Sequence, residues 1–280
     1  MEGLSAPLTV TKLAPAIGAE VAGVDLGRPL DAPTVATLRR AWHDHAVLLV
    51  RGQSLSEADQ VRYGEYFGVL GTALSESRLV PAHPSVMFVS NIRQDGKLIG
   101  RLPDGEMFFH SDQCYLAAPP AGTMLYGIEL PSSGGNTLFA SAYAAYDALP
   151  AAMKARLEGL QALNAYDLKN SATRRGAIPP DAPRHVHPVV RTHPATGRKA
   201  LYVNRLMTQH IVGMDTAASE ALLAELFDHQ EQRPFVYEHV WRVGDVILWD
   251  NRCALHARTD FDPGERRLLR RITVLAEPAD

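Results

Sequence analysis

From about residue 70 onward, the apolar residues of this chain come in short runs, each closed by Gly, Pro, Asn or Asp. That punctuation belongs to strands and tight turns, because Gly and Asn accept the backbone angles of a turn and Pro cannot continue a ladder. The spacing predicts strands at 86–90, 125–130, 138–140, 189–192, 200–203, 246–249 and 269–275. Earlier residues read differently. Over 29–42, Asp31 stands as an N-cap, Pro33 falls near the first turn, and Val35, Leu38 and Trp42 follow at helical spacing. A buried strand at 47–51 comes next. Ser54-Leu55-Ser56-Glu57 then has capping-box spacing and opens a helix that runs through Val61 and Tyr66 to Phe67-Gly68. Further helices are expected at 143–160, interrupted near Pro150, and at 216–229, where Leu222, Leu223 and Leu226 form a stripe. Residues 169–184 show no periodicity and read as a loop. Without a repeat or a sharp composition shift, the expectation is one domain over residues 1–280, mainly β with helices outside.

Composition excludes several classes of function. With 46% hydrophobic and 21% charged residues, the chain can bury a sizeable core. Lys and Arg number 28 against 31 Asp and Glu, with neither sign concentrated, so a nucleic-acid surface is not expected. The two cysteines, Cys114 and Cys253, are too few for a disulfide framework and fit a reducing compartment. The start, Met1-Glu2-Gly3-Leu4-Ser5-Ala6-Pro7, has no signal-peptide pattern, so a cytoplasmic location is expected. No stretch approaches the roughly 20 apolar residues of a membrane span.

Three local features carry candidate chemistry. His110-Ser111-Asp112 sets an imidazole and a carboxylate two apart; on an extended backbone both point to one side and can grip a metal ion. Chance alone makes about one such pair among 11 histidines and 31 acids. The chain has a second, His229-Gln230-Glu231, which follows a leucine stripe and is assigned to solvent. After Phe108-Phe109 and before Gln113-Cys114-Tyr115, the first pair suits a strand facing a barrel interior. It needs a third ligand, and His256 is the best supplier, although a buried structural histidine fits equally well. Next, period two sorts 266–274 into faces: Arg267, Leu269, Arg271 and Thr273 on one, Arg266, Leu268, Arg270, Ile272 and Val274 on the other. Arginines on a core-facing strand need anions, either bound carboxylates or Asp and Glu at the surface. Finally, Ser132-Ser133-Gly134-Gly135-Asn136-Thr137 is a tight turn without the lysine of a phosphate loop.

Together these segments resemble the taurine and 2,4-dichlorophenoxyacetate dioxygenase family, iron(II) enzymes that consume 2-oxoglutarate. The resemblance runs from Ile17-Gly18-Ala19-Glu20-Val21 and Gly23-Val24-Asp25-Leu26, through Phe67-Gly68, His110-Ser111-Asp112, Gly134-Gly135-Asn136-Thr137 and His187-Pro188-Val189-Val190-Arg191, to Trp249-Asp250-Asn251-Arg252 and beyond. It implies a jelly-roll, cupin-like double-stranded β helix, with iron held by His110, Asp112 and His256. The family's 2-oxoglutarate arginine lies eleven residues after the distal histidine, at Arg267, and its threonine lies 27 after the first, at Thr137. Two positions on the metal would take 2-oxoglutarate and the last dioxygen, giving succinate, carbon dioxide and a hydroxylated substrate. Arg271 matches the position that grips the anionic end of the substrate, so a small organic anion of sulfonate or aryloxyalkanoate type is implied, and family members are often dimers or tetramers.

The chain departs from the taurine pattern at Ala73 and Glu76, where the family member has His and Tyr. Gln113 replaces a small apolar residue and Met207 an aromatic, while Tyr166 keeps aromatic character. Taurine is therefore expected to be a poor substrate. Tyr115 and Asn91 join Gln113, Tyr166 and Met207 as candidate substrate contacts; residues 70–109 and 169–184 are expected to supply lids, with Arg174 or Arg175 reaching substrate. Three alternatives stay open: the same iron chemistry on an amino-acid or natural-product intermediate without fragmentation, a binding protein without turnover, and a zinc hydrolase on a similar barrel.

Overall fold

Residues 47–50 are apolar at every position, the pattern of a strand covered on both faces. The computed structural model, which describes residues 7–72, 83–102, 107–167 and 178–276, sets Val47–Val50 inside an eight-stranded sheet with all four residues buried. The order is Thr9–Lys12, Ala19–Ala22, Val47–Val50, Val246–Asp250, Gly122–Glu129, Leu268–Ala276 and Val69–Leu70, with Val86–Ser90 also paired to Leu268–Ala276. Every pairing is antiparallel except that of Ala19–Ala22 with Val47–Val50.

Helices close one face of this sheet. Ala32–His45 begins at Asp31, whose carboxylate accepts the Thr34 N–H at 2.8 Å. Glu57–Glu65 begins at Ser56, which forms a reciprocal capping box with Asp59. The box thus lies two residues beyond the expected Ser54 and Glu57. Leu38, Trp42, Val61 and Phe67 pack there against Leu48, Val50, Met124, Leu248, Ile272 and Val274.

The other face meets a three-stranded antiparallel sheet of Val236–His239, Thr137–Ser141 and Ala254–Arg258. Phe139 and Ala254 pack against Leu49, Leu125, Ile247, Trp249 and Leu269, and the Phe139 and Trp249 ring centroids are 5.5 Å apart. The alternation in Leu268–Ala276 is therefore consequential. Leu269 joins this inner layer while Ile272 and Val274 join the helical layer, which sends Arg267 and Arg271 inward. Arg270 points the other way, 4.8 Å from the Tyr126 ring and donating to the Leu55 carbonyl. Arg266 is exposed and pairs with Glu129.

A third layer forms around helix Thr216–Gln230, whose Leu222, Leu223, Leu226 and Phe227 pack on Leu157, Ala162, Val189, Leu201 and Ile211. It covers the sheet Arg184–Pro188, Gln161–Ala165 and Thr208–Ile211, and the hairpin Val190–Thr192 with Lys199–Leu201. Helices Ala142–Ala148 and Ala151–Leu157 flank Pro150, because the residue before a proline is driven to extended angles and Leu149 has ψ 141°.

Three expectations change. Strands at Thr9–Lys12, Ala19–Ala22, Gln161–Ala165, Thr208–Ile211 and Val236–His239 went unread, since their polar residues hide the period in four or five positions. His229 is not left to solvent: its Nε2 lies 2.7 Å from the Ala145 carbonyl and its ring 5.3 Å from that of Phe235. Within 70–109, Val86–Ser90 is part of the main sheet and no lid. Ala73, Glu76, Arg174 and Arg175 lie outside the described residues.

Candidate metal centre and anion pocket

His256 lies on Ala254–Arg258, and His110 reaches it through an isolated antiparallel bridge with backbone N···O distances of 2.9 and 2.8 Å. Asp112 arrives by another route than the one expected. Beyond the bridge the chain turns instead of running as a strand, and Gln113 adopts φ 50°. This turn, not strand alternation, swings the carboxylate beside both imidazoles: Asp112 Oδ1 is 4.0 Å from His110 Nε2 and from His256 Nε2. All three residues are buried, and the two ring centroids are 4.2 Å apart.

Their protonation suits a cation. His110 Nδ1 lies 2.8 Å from the Phe108 carbonyl, which can only accept, so Nδ1 carries a proton, and in the neutral ring Nε2 is then the atom with the lone pair. Burial, then the neighbouring His110, pushes the His256 pKa well below the usual histidine value, keeping that ring neutral. Burial alone would raise Asp112. The Arg271 guanidinium, His256, His110 and the Thr123 hydrogen bond outweigh it and hold the carboxyl well below the usual range.

Asp112 is also oriented. Its Oδ2 accepts the Thr123 hydroxyl at 2.6 Å and Arg271 Nη2 at 2.9 Å, which turns Oδ1 toward the imidazoles. Thr123 Oγ1 in turn accepts Asn251 Nδ2 at 3.0 Å, and Asn251 Oδ1 accepts the Trp249 indole N–H at 2.9 Å. Ser111 donates to the Asn251 carbonyl at 2.7 Å. Two imidazoles and one fixed carboxylate, buried and facing one another, fit an iron(II) ion with positions left for other ligands.

Beside this trio, a small cavity is lined by Val89, Leu125, Thr137, Trp249, His256, Arg258, Arg267 and Arg271. Arg267 is 1% exposed, and its Nη2 donates to the Gly135 carbonyl at 3.2 Å. Gly135 has φ +63°, and a Cβ there would sit 3.1 Å from Arg267 Nε, so the turn needs glycine next to the guanidinium. Thr137 Oγ1 accepts the Trp241 indole N–H at 3.0 Å. Asn91, expected against substrate, is engaged elsewhere: Oδ1 accepts the Arg267 backbone N–H at 2.9 Å and Nδ2 donates to the Glu265 carbonyl at 2.8 Å. Its observed task is to hold the Arg267 backbone.

The other expected contacts gather just past Asp112. The Tyr115 and Tyr166 rings stack at 5.7 Å and 12°, and Met207 Sδ lies 3.5 Å from Cys114 Sγ. Burial pushes the Cys114 thiol and the Tyr115 hydroxyl up to about 12, so both are neutral. Gln113 is half-buried in the turn. Four residues were missed. Asn251 had a signal in the Trp249-Asp250-Asn251-Arg252 segment, and Arg258 shares the strand face of His256. Thr123 and Trp241 had none, because only pairing across the sheets brings them to the site.

A two-histidine, one-carboxylate centre next to a buried arginine and threonine defines the class of non-haem iron oxygenases. The profile of the taurine catabolism dioxygenase TauD, TfdA family matches residues 9–273, and the chain belongs to that family. It is 36% identical to the alpha-ketoglutarate-dependent 2,4-dichlorophenoxyacetate dioxygenase of Cupriavidus pinatubonensis, over 94% of this chain and 96% of that protein. It is 34% identical to the (S)-phenoxypropionate/alpha-ketoglutarate-dioxygenase of Sphingobium herbicidovorans, over 98% and 95%. A solved taurine dioxygenase from Burkholderia xenovorans superposes with a TM-score of 0.82 at 30% identity, covering 96% of this chain and 91% of that one. The protein is a 2-oxoglutarate-dependent dioxygenase of small organic anions that uses iron(II), 2-oxoglutarate and dioxygen. Among the described residues, no helix is long and apolar enough to cross a membrane.

Proposed function

We propose that His110, Asp112 and His256 hold the iron, that Thr137 and Arg267 hold the distal carboxylate of 2-oxoglutarate, and that the substrate is an aryloxyalkanoate-type anion in preference to taurine. The observation that carries this reading is the set of three buried donors turned toward one another beside a buried arginine. With dioxygen, the iron and its cosubstrate supply the oxidising chemistry, which converts 2-oxoglutarate to succinate and carbon dioxide and hydroxylates the substrate. The chain's own residues do the rest. Thr123 and Arg271 keep Asp112 ionised and aimed. Arg267 neutralises the cosubstrate in a place closed to water, where a charge-assisted pair is strong. A guanidinium has five donors, so Arg271 can hold Asp112 and also meet the substrate's anionic group. Tyr115, Tyr166, Gln113 and Met207 form the substrate wall, and the stacked tyrosines suit an aryl group. The relatives named for 2,4-dichlorophenoxyacetate and phenoxypropionate support this choice.

The fold belongs to the same reading: a jelly-roll in which the large and small sheets form a double-stranded β helix, built as a single domain over residues 1–280. Its support is the site's position between the two sheets and a family match that spans nearly the whole chain. Two buried free thiols, Cys114 and Cys253, support a cytoplasmic, reducing location. A homo-oligomer, dimer or tetramer, completes the proposal and is tested by sedimentation.

The deciding experiment is anaerobic titration of iron(II) and 2-oxoglutarate, followed by the visible metal-to-ligand charge-transfer band, with aryloxyalkanoates and sulfonates then added in turn. Hydroxylation of a carbon beside an ether oxygen gives an adduct that fragments. A band that shifts with an aryloxyalkanoate, and release of the corresponding phenol on admitting air, are the expected results. A substrate gaining one oxygen without fragmenting would favour an amino-acid or natural-product intermediate. No band in folded protein would overturn the ligand assignment.

A further inference from the structure

Three buried or half-buried arginines here meet an acid: Arg252 meets Asp250, Arg271 meets Asp112, and Arg51 meets Asp245. Arg258 does not. It is 7% exposed, and its one hydrogen bond is from Nη1 to the Thr259 carbonyl at 3.2 Å. Its Nε is buried without a partner, and no carboxylate among the described residues pairs with it. A guanidinium taken from water without an anion is strongly unfavourable, so a fold that keeps one has a use for the charge. Arg270 is similar in lacking an acid, but it donates to the Leu55 carbonyl and does not line the cavity.

The surroundings of Arg258 identify the anion. It lies two residues after His256 on the same strand, hence on the same face, and is the register partner of Thr137. It lines the cavity that Arg267 and Thr137 line, and the two guanidiniums flank one ring, 5.4 and 5.9 Å from the Phe261 centroid. Thr137 Oγ1 already accepts from Trp241, which can only donate, so the threonine proton is directed to some other acceptor. Two cations and one directed hydroxyl at one end of a small cavity match the lone pairs of a single carboxylate.

We propose that Arg258 is a second cation for the distal carboxylate of 2-oxoglutarate and sets the preference for a dicarboxylic over a monocarboxylic 2-oxo acid. This rests on the reading that Arg267 and Thr137 bind that carboxylate. The test compares equilibrium binding of 2-oxoglutarate and of 2-oxopentanoate, which lacks the distal carboxylate, to the anaerobic iron(II)-loaded protein. Arg258→Met should weaken 2-oxoglutarate by about ten- to a hundredfold, as expected for a charge-assisted hydrogen bond, and leave 2-oxopentanoate unchanged. Equal weakening of both ligands, or of neither, would overturn the proposal. Arg258→Gln keeps much of the stem without the charge and decides by the same comparison should the Met variant not fold. Arg267→Met serves as the control. If it weakens 2-oxoglutarate and Arg258→Met does not, the role of Arg258 alone falls; if neither weakens it, the anion site itself lies elsewhere.

Discussion

Among the described residues, two groups of metal-capable side chains lie buried, His110 with Asp112 and His256, and His193 with Asp250 and Cys253, and in each the candidate ligand atoms fall within 4.8 Å of one another. They differ in what remains to be satisfied. Asp250 Oδ1 accepts the Arg252 backbone N–H and Nε at 2.9 and 2.8 Å, and Oδ2 accepts Arg252 Nη2 and His193 Nε2 at 2.5 and 2.9 Å. His193 Nδ1 accepts the backbone N–H groups of Ala195 and Thr196. Every donor and acceptor of that pair is used, and Arg252 already supplies the cation. In the first group Oδ2 of Asp112 is held, while Oδ1 and two Nε2 atoms face one another. Residue type makes both groups capable of binding metal. Hydrogen-bond saturation leaves one group as a structural joint and the other with donor atoms free for a ligand.

The comparison breaks most readily at His256. His256→Ala should abolish turnover and remove tight iron binding while circular dichroism stays near wild type; retained tight iron would contradict the assignment. Asp250→Asn should do the opposite. It leaves a buried Arg252 without its counter-charge, so a loss of about 3–5 kcal/mol is expected in urea unfolding, with iron affinity of the folded protein unchanged. An iron affinity that fell with it would make the second cluster part of the site.

The pH dependence of stability sharpens the same contrast. Burial pushes the Asp250 pKa up, but hydrogen bonds and charge from Arg252 and His193 outweigh burial and hold it at about 2. The folded value is below the unfolded one of about 3.9, so this carboxylate stabilises the fold above about pH 4 and loses that contribution as pH falls toward 2. The amount is about 2 kcal/mol, and the acid limb of stability measured by denaturant titration should flatten in Asp250→Asn. An unflattened limb would place the acid sensitivity elsewhere. Thr123→Val removes the hydroxyl that turns Asp112, and should weaken iron by about ten- to a hundredfold with little change in fold, checked by metal titration. Trp241→Phe should have the smallest effect, raising the dissociation constant of 2-oxoglutarate by about fivefold through a less directed Thr137 hydroxyl.

Much of this is legible in the amino-acid sequence. The helical layer was legible because Asp31, Val35, Leu38 and Trp42 carry both a cap and a period, and the central main-sheet strands Val47–Val50 and Val246–Asp250 because their runs are almost wholly apolar. The inward face of Arg267 and Arg271 followed from alternation along one strand. The reading failed where a turn replaced a strand, at Asp112 and Gln113, since a positive φ at a non-glycine residue leaves no mark on hydropathy. Nor did it show that the Asn91 amide serves the Arg267 backbone, or that His229 meets Ala145 across a packed interface.

What the sequence determined by itself is therefore local or periodic: which segments alternate, where helices begin, and which residue types stand at the spacing of an iron and 2-oxoglutarate site. Only the tertiary structure decided which of two histidine and aspartate clusters has donors left over, that Thr123 and Asn251 orient Asp112, and that Arg258 stands without an acid beside Thr137. Those facts depend on the saturation of hydrogen bonds and charges between residues up to about 140 positions apart, and the side chains concerned meet only when the sheets pair and pack.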